Sequence, residues 1–140
     1  MRTGSTIYRL LGIHAFCLIL GLGHSSGIEI TSDAQWTLSH SPVSVTEKVV
    51  IRPGATLVVD AGVTVMLAEN AGILVEGSLL AQGSSSQPIL FTRATGSNGW
   101  PGIEFSGTRV WNAFSGRSVF EFCRFEYVSN EVALQAWEVD

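Results

Sequence analysis

Apolar residues in the middle of the chain occur in short runs separated by turns. Residues 49–67 read VVIRPGATLVVDAGVTVML, and residues 73–93 read ILVEGSLLAQGSSSQPILFTR. Each segment holds three apolar runs, with a glycine in each of the two turns between them. Alternating β-branched residues favour strands, and no segment keeps a 3.6-residue period long enough for a helix. The pattern therefore predicts an all-β fold of short strands.

The two segments are copies of one another. Their turn glycines match as Gly54 with Gly77 and as Gly62 with Gly83, and a third partial copy, IEFSG, ends at Gly107. A repeat of this length is typical of stacked coils. An antiparallel sandwich would explain the alternation, but not the return of matching glycines after each set of three strands. The repeat therefore predicts a coil of about four rungs that stacks on itself.

Alternation also predicts which side chains face the interior of the coil. One phase of the runs is expected to form apolar stacks, and its members are Val50, Leu57, Val65, Leu74, Leu80 and Leu90. The neighbouring positions are the alternative, because a shift of one residue exchanges the two faces. Arg52-Pro53-Gly54-Ala55 predicts a type II turn, with Pro at its second position and Gly at its third, where φ is positive.

A run rich in aromatic residues, SVFEFCRFEYV, occupies residues 118–128. Phe120 and Phe122 share one phase of the alternation, and Phe125 and Tyr127 share the other. A bend near Cys123 and Arg124 would let both aromatic pairs face the interior. We therefore expect a bend at that point.

Residues 1–27 differ in composition from the repeat that follows them. Two arginines precede an uncharged apolar run at 10–23, and small residues lead to Gly27. This order predicts a secretory signal peptide cleaved after Gly23, Ser26 or Gly27. A retained signal anchor is the alternative, although the run is shorter than the roughly 20 apolar residues of a membrane span.

Three segments follow from these patterns: a signal peptide at 1–27, an N-terminal cap or first strand at 28–48, and β-helix rungs at 49–140. The last residues, ALQAWEVD, are rich in apolar side chains and lack a polar cap, which repeat proteins need. We therefore expect the natural protein to continue beyond Asp140. The expected location is extracellular, or the cell surface if a membrane span lies downstream.

Loss of residues 1–27 changes the charge and the cysteine count. It removes two of the 8 basic residues and none of the 12 acidic ones, which leaves a net charge of −6. An acidic surface disfavours nucleic acid as a partner, and a membrane is expected only through a segment outside this chain. Cys17 leaves with the signal, so Cys123 is either a small buried residue or a thiol that needs a partner from another chain.

Several strings resemble right-handed parallel β-helix proteins of the pectin-lyase-like class. They are PGATLVVDAGVTV at 53–65, GILVEGSLLAQG at 72–83, QPILFT at 87–92 and WPGIEF at 100–105. The resemblance covers roughly residues 36–137 and implies an all-β fold, a right-handed single-stranded parallel β-helix of about four rungs. It is more specific for the fold than for an activity. In general layout the chain is also similar to the extracellular β-helix regions of the bark beetle family. That similarity implies a role in septate junctions between epithelial cells, whereas the wider class implies binding or cleavage of polysaccharides.

Polysaccharide-cleaving members of that class are expected to need clustered acidic ligands for calcium with a basic residue, or several neighbouring aspartates. After residue 27 the aspartates are Asp33, Asp60 and Asp140, and Lys48 is the only lysine. No His or Cys pair has the spacing of metal ligands. We therefore expect no catalytic residues, no metal site and no cofactor within this chain.

Aromatic residues in or beside two loops, 94–101 and 108–118, remain as binding candidates. Trp100, Trp111 and Phe114 could stack on sugar rings or anchor a protein interface. For Trp100 the alternative is packing over a rung corner, because Trp-Pro-Gly-Ile leads directly into a strand. The sequence predicts a non-catalytic extracellular module for structure, adhesion or cell-junction organisation that presents loops to protein or cell-surface partners. A carbohydrate-binding or polysaccharide-cleaving β-helix is the alternative.

Overall fold

A computed structural model describes residues 27–108, 117–130 and 134–139, in which strands dominate. A short 3-10 turn, Leu38–His40, lies between the second and third strands. Within the described residues no helix is long and apolar enough to cross a membrane. The strands are β1 (Ile28–Ile30), β2 (Ala34–Trp36), β3 (Val43–Val45), β4 (Val49–Ile51), β5 (Thr56–Val59), β6 (Thr64–Leu67), β7 (Ile73–Val75), β8 (Ser78–Gln82), β9 (Ile89–Arg93), β10 (Ile103–Thr108), β11 (Val119–Glu121), β12 (Cys123–Phe125) and β13 (Leu134–Val139).

The strands pair in parallel into three sheets that each take every third strand of the chain. Their orders are β1-β4-β7-β10-β13, β2-β5-β8-β11 and β3-β6-β9-β12. The chain therefore passes through all three sheets in one turn and pairs with itself in the next. This arrangement is a parallel β-helix in which β1 to β12 form four rungs and β13 opens a fifth. The prediction of an all-β parallel β-helix of about four rungs is confirmed.

The strand register corrects the predicted matching of the glycines. β5 pairs with β8 in a register that places Ala55, rather than Gly54, beside Gly77. Gly62 has a positive φ of 80°, whereas Gly83 is not among the glycines with positive φ. The two glycines of each pair therefore lie at the same corner of successive rungs, but they do not occupy equivalent positions in it.

Gly54 and Gly77 meet different requirements of one corner. Gly54 has a φ of 84°, and the Ala55 amide donates a hydrogen bond of 3.0 Å to the carbonyl oxygen of Arg52. The predicted turn at 52–55 is therefore present. A Cβ atom at Gly77 would overlap the carbonyl oxygens of Ala55 and Arg52, so that glycine is required by its close approach to the preceding rung.

The core fills the interior of the coil with aliphatic side chains, and the described residues include no buried polar or charged one. Leu57 and Val65 are buried as predicted. The prediction was wrong by one position elsewhere, since four of the predicted residues are only partly buried and their neighbours lie inside. These four are Val50, Leu74, Leu80 and Leu90. Each of the four lies among three consecutive apolar residues (VVI, ILV, LLA and ILF), so apolar–polar alternation does not show which one faces inward.

An ion-pair ladder runs along the outside of the first three rungs. The guanidinium of Arg52 donates to Glu29 of the rung before it and, at 3.0 Å, to Glu76 of the rung after it. The hydrogen bond to Glu29, followed by that to Glu76, raises the pKa of Arg52. Because the three side chains are solvated, the ladder contributes to register more than to stability.

Candidate functional site

The corner that leads from the third sheet back to the first grows along the coil. It comprises residues 46–48 in the first rung, 68–72 in the second and 94–102 in the third. We call residues 94–102 the third-rung corner. It contains the predicted loop 94–101. It connects β9 with β10, and each of these strands is paired with a strand of the rung before it and a strand of the rung after it.

Trp100 anchors this corner to the fourth rung. Its side chain is fully buried and stacks on Phe91 with ring centroids 6.4 Å apart. The indole Nε1 donates a hydrogen bond of 2.8 Å to the carbonyl oxygen of Glu126, and the backbone amide donates one of 3.1 Å to Tyr127. A side chain without exposed surface cannot stack on a ligand. The structure therefore corrects the reading of Trp100 as a binding residue and shows the packing alternative.

The other two predicted binding aromatics, Trp111 and Phe114, lie outside the described residues, as does most of the loop 108–118. The returning end of that loop is described. The Arg117 amide donates to Ser78 Oγ at 3.0 Å, and Ser118 Oγ accepts from the Leu79 amide at the same distance. The end of the loop, just before β11, is therefore held against the start of β8 in the preceding rung.

The outer part of the third-rung corner forms an open cleft of about 490 Å³ with a residue of the next rung. Residues 92–98 and Tyr127 line this cleft. The Ser97 amide donates to the Ala94 carbonyl oxygen at 3.0 Å, and Gly96 has a φ of 87°. Gly96 therefore permits the tight turn that shapes the rim of the cleft.

Arg93 folds back over this turn. Its Nη1 donates hydrogen bonds of 3.0 Å to the Ser97 carbonyl oxygen and 3.5 Å to that of Asn98. Its guanidinium carbon lies 4.1 Å from the centre of the Tyr127 ring, which is a cation–π contact. In the part of the chain that the structure describes, Arg93 forms no ion pair with a carboxylate, whereas Arg124 pairs with Glu126 at 2.6 Å.

The backbone of Tyr127 turns its side chain out of the coil. Tyr127 has a φ of 56°, which bulky residues rarely adopt, and its side chain is 56% exposed. In this conformation its carbonyl oxygen accepts the hydrogen bond from the Trp100 amide. The buried Trp100 and the exposed Tyr127 are thus joined by one backbone contact between rungs.

Phe122 shows the same conformation at the other end of β12. It has a φ of 48°, is 61% exposed, and accepts a hydrogen bond of 3.0 Å from the Ile89 amide. Phe120 and Phe125 pack against the core. The expectation that both aromatic pairs face inward was therefore wrong. The chain bends at Phe122, one residue before the predicted position, and one member of each pair is exposed.

Cys123, the first residue of β12 in the fourth rung, is half-buried. Its Sγ donates to the carbonyl oxygens of Ala81 at 3.3 Å and Glu121 at 3.4 Å. Burial raises the pKa of this thiol, against a smaller opposing effect of the hydrogen bond to Glu121. The thiol is therefore held in its neutral form and packs as a small apolar side chain.

Sequence reasoning located the loop but missed Arg93 and Tyr127. The pairing of Phe91 with Phe125 in β9 and β12, extended by two residues, places Arg93 beside Tyr127. Rung alignment could have found this pair, but the insertions at the corners hide it in the bare sequence. Among residues 27–108, 117–130 and 134–139, no three His, Cys, Asp or Glu side chains cluster as a metal site would require. Comparisons with models of protein families, with curated proteins and with solved structures find no match.

Proposed function

We propose that this chain is a non-catalytic extracellular β-helix module that serves structure, adhesion or cell-junction organisation by presenting corner loops to protein partners. The observation that carries the proposal is the third-rung corner. It borders an open cleft together with Arg93, which has no carboxylate partner among the described residues, and the exposed Tyr127 of the next rung. Loops held by a rigid scaffold are common binding surfaces. The signal peptide predicted at 1–27 supports export.

The first test concerns export. The full chain with a C-terminal tag is expressed in cultured epithelial cells, and the tagged protein in the medium is sequenced from its N-terminus. We expect it to begin after Gly23, Ser26 or Gly27. A tagged protein that stays in the cytosol and keeps Met1 would contradict the proposal.

The second test concerns partners. Protein secreted from the full chain is added to epithelial cells, cross-linked and quantified on their surface. Saturable binding that is lost when residues 95–98 are replaced by Ser-Gly-Gly-Ser, which keeps the glycine at position 96, supports a partner at the third-rung corner. Leu38→Ser, a change of an exposed residue at a different corner, is the matched control and should bind normally. Non-saturable binding, or equal binding by the loop variant, counts against the proposal.

A carbohydrate-binding or carbohydrate-cleaving β-helix is the second candidate, and the exposed ring of Tyr127 beside the cleft favours it. Pectin, alginate and glycosaminoglycans are incubated with the protein, with and without calcium. Binding that Trp111→Ala or Tyr127→Ala abolishes would support a sugar site, and released oligosaccharides would support cleavage. Absence of both binding and product would remove this candidate.

A further inference from the structure

We propose that the cleft at Arg93 and Tyr127 receives the carboxylate side chain of an acidic peptide segment from a protein partner. This inference rests on the proposed function and names the chemistry by which the third-rung corner would recognise its partner.

The free edge of the Arg93 guanidinium carries the argument. Nη1 is committed to the carbonyl oxygens of Ser97 and Asn98, and Tyr127 lies against one face of the group. Nε and Nη2 have no hydrogen-bond acceptor in the described residues. That edge presents two parallel N–H groups, the arrangement that binds a planar carboxylate through two hydrogen bonds.

The surroundings of Arg93 favour a peptide over an acidic polysaccharide. A polyanion would approach a chain whose net charge after residue 27 is −6 and would be repelled along its length. A single carboxylate side chain would instead interact mainly with the positive charge of Arg93. The Ser97 and Asn98 carbonyl oxygens each keep a lone pair beside the guanidinium, where backbone N–H groups of a peptide could donate.

The cleft is also organised before any ligand binds. Two loop carbonyls fix Arg93, while the left-handed backbone of Tyr127 is held by the amide of buried Trp100. Non-glycine residues in this conformation are strained and cluster at functional sites. A side chain that is already ordered loses less entropy on binding, so a short peptide could bind measurably.

The test uses ¹⁵N-labelled protein purified from cells that express the full chain, whichever compartment contains it. It is titrated at low ionic strength with the terminally blocked peptide Gly-Glu-Gly and with Gly-Gln-Gly. We expect the Glu peptide to shift the amide signals of residues 94–98 and the Nε–H signal of Arg93. The Gln peptide should bind at least about tenfold more weakly, since it lacks the charge. Equal affinity of the two peptides would overturn the proposal.

Variants of Arg93 test whether binding needs the planar guanidinium group or only its positive charge. Arg93→Gln should abolish the shifts, and Arg93→Lys should weaken binding at least about fivefold because a lysine offers no planar fork. Arg124→Gln removes the same charge from an exposed arginine of β12 and should bind as the wild type does. If Arg93→Gln fails to fold, Tyr127→Leu and Arg93→Lys are tested in its place. Wild-type affinity for Gly-Glu-Gly in both of these variants would contradict the proposal.

Two further probes identify the ligand class. Galacturonate or inorganic phosphate that shifts the cleft signals at lower concentration than Gly-Glu-Gly would show a sugar-acid or phosphate site and would overturn the peptide assignment. Failure of the titration alongside saturable, loop-dependent binding to cells would leave the proposed function standing with different chemistry. Success of the titration in a protein that is never exported would instead refute the extracellular role alone.

Discussion

The indole Nε1 of Trp100 donates a hydrogen bond of 2.8 Å to the carbonyl oxygen of Glu126 in the following rung. This bond is made by a fully buried side chain in a core that is otherwise aliphatic and aromatic. It reinforces the two backbone hydrogen bonds that join Trp100 to Tyr127 and Ser129 of the next rung. The third-rung corner can therefore be long and still be held in one place.

Replacing Trp100 tests this role. Trp100→Phe leaves the Glu126 carbonyl without its indole donor and reduces the buried volume, so we expect the free energy of unfolding to fall by about 2–3 kcal/mol. Trp100→Ala should cost about 4 kcal/mol or more. Urea unfolding followed by circular dichroism measures both. Leu38→Ala, at a residue that is 46% exposed, is the control and should stay within about 0.5 kcal/mol of the wild type.

Gly77 and Gly54 should respond differently to the same substitution. Gly77→Ala places a methyl group against the carbonyl oxygens of Arg52 and Ala55, so the rungs must separate, and we expect a loss of at least about 3 kcal/mol. Gly54→Ala meets no atom within 4 Å and should cost only the left-handed conformation, about 1 kcal/mol. Thermal unfolding of the two variants compares them. Equal losses would show that the close approach at Gly77 relaxes cheaply.

Phe122 offers a substitution that should stabilise the protein. It is 61% exposed and has a φ of 48°, a conformation that Asn tolerates better than Phe. We expect Phe122→Asn to raise the free energy of unfolding by about 0.5–1 kcal/mol. Phe125→Asn, on the inward-facing side of the same strand, should destabilise strongly, because Phe125 stacks on Phe91 at 5.2 Å. A loss of stability in Phe122→Asn would mean that the exposed ring makes a contact that outweighs its strain.

The class of fold was predictable because stacked rungs repeat the same order of apolar runs and turns along the sequence. Short apolar runs recur in every rung, and glycines such as Gly54 and Gly77 lie at the same corner of successive rungs, so these local requirements agree with the global arrangement. The phase of individual strands was less predictable. In VVI and ILV every residue is apolar, so only the register of the neighbouring rungs decides that Val49 and Ile73 face inward while Val50 and Leu74 do not.

The candidate site was predictable as a loop but not as a set of residues. Arg93 and Tyr127 meet because consecutive rungs align them, and corners of unequal length conceal that alignment in the sequence. Tyr127 is exposed with a positive φ while its carbonyl oxygen accepts the hydrogen bond from the Trp100 amide, a combination that no local preference of tyrosine predicts. Long-range contacts of this kind leave no pattern in a single sequence.

The thiol of Cys123 should be unreactive in the folded protein. Burial raises its pKa above the ordinary value of 9.0, so the reactive thiolate is scarce near neutral pH. We expect iodoacetamide to modify the folded protein more than tenfold more slowly than the urea-unfolded protein at pH 8, a margin that combines lower ionisation with restricted access. Intact mass measured over time follows the reaction. Cys123→Ser is the control that should show no modification once residues 1–27 are removed.

The same shift in pKa fixes how stability depends on pH. Because the folded pKa is the higher one, the unfolded chain loses the proton of Cys123 first, and its ionisation favours unfolding. The contribution of the neutral thiol is therefore complete below pH 9.0 and is lost as the pH rises from there through the folded pKa. Urea unfolding at pH 7 and pH 10 should show a smaller loss of stability in Cys123→Ser than in the wild type. Identical losses in the two proteins would contradict a buried, neutral thiol at this position.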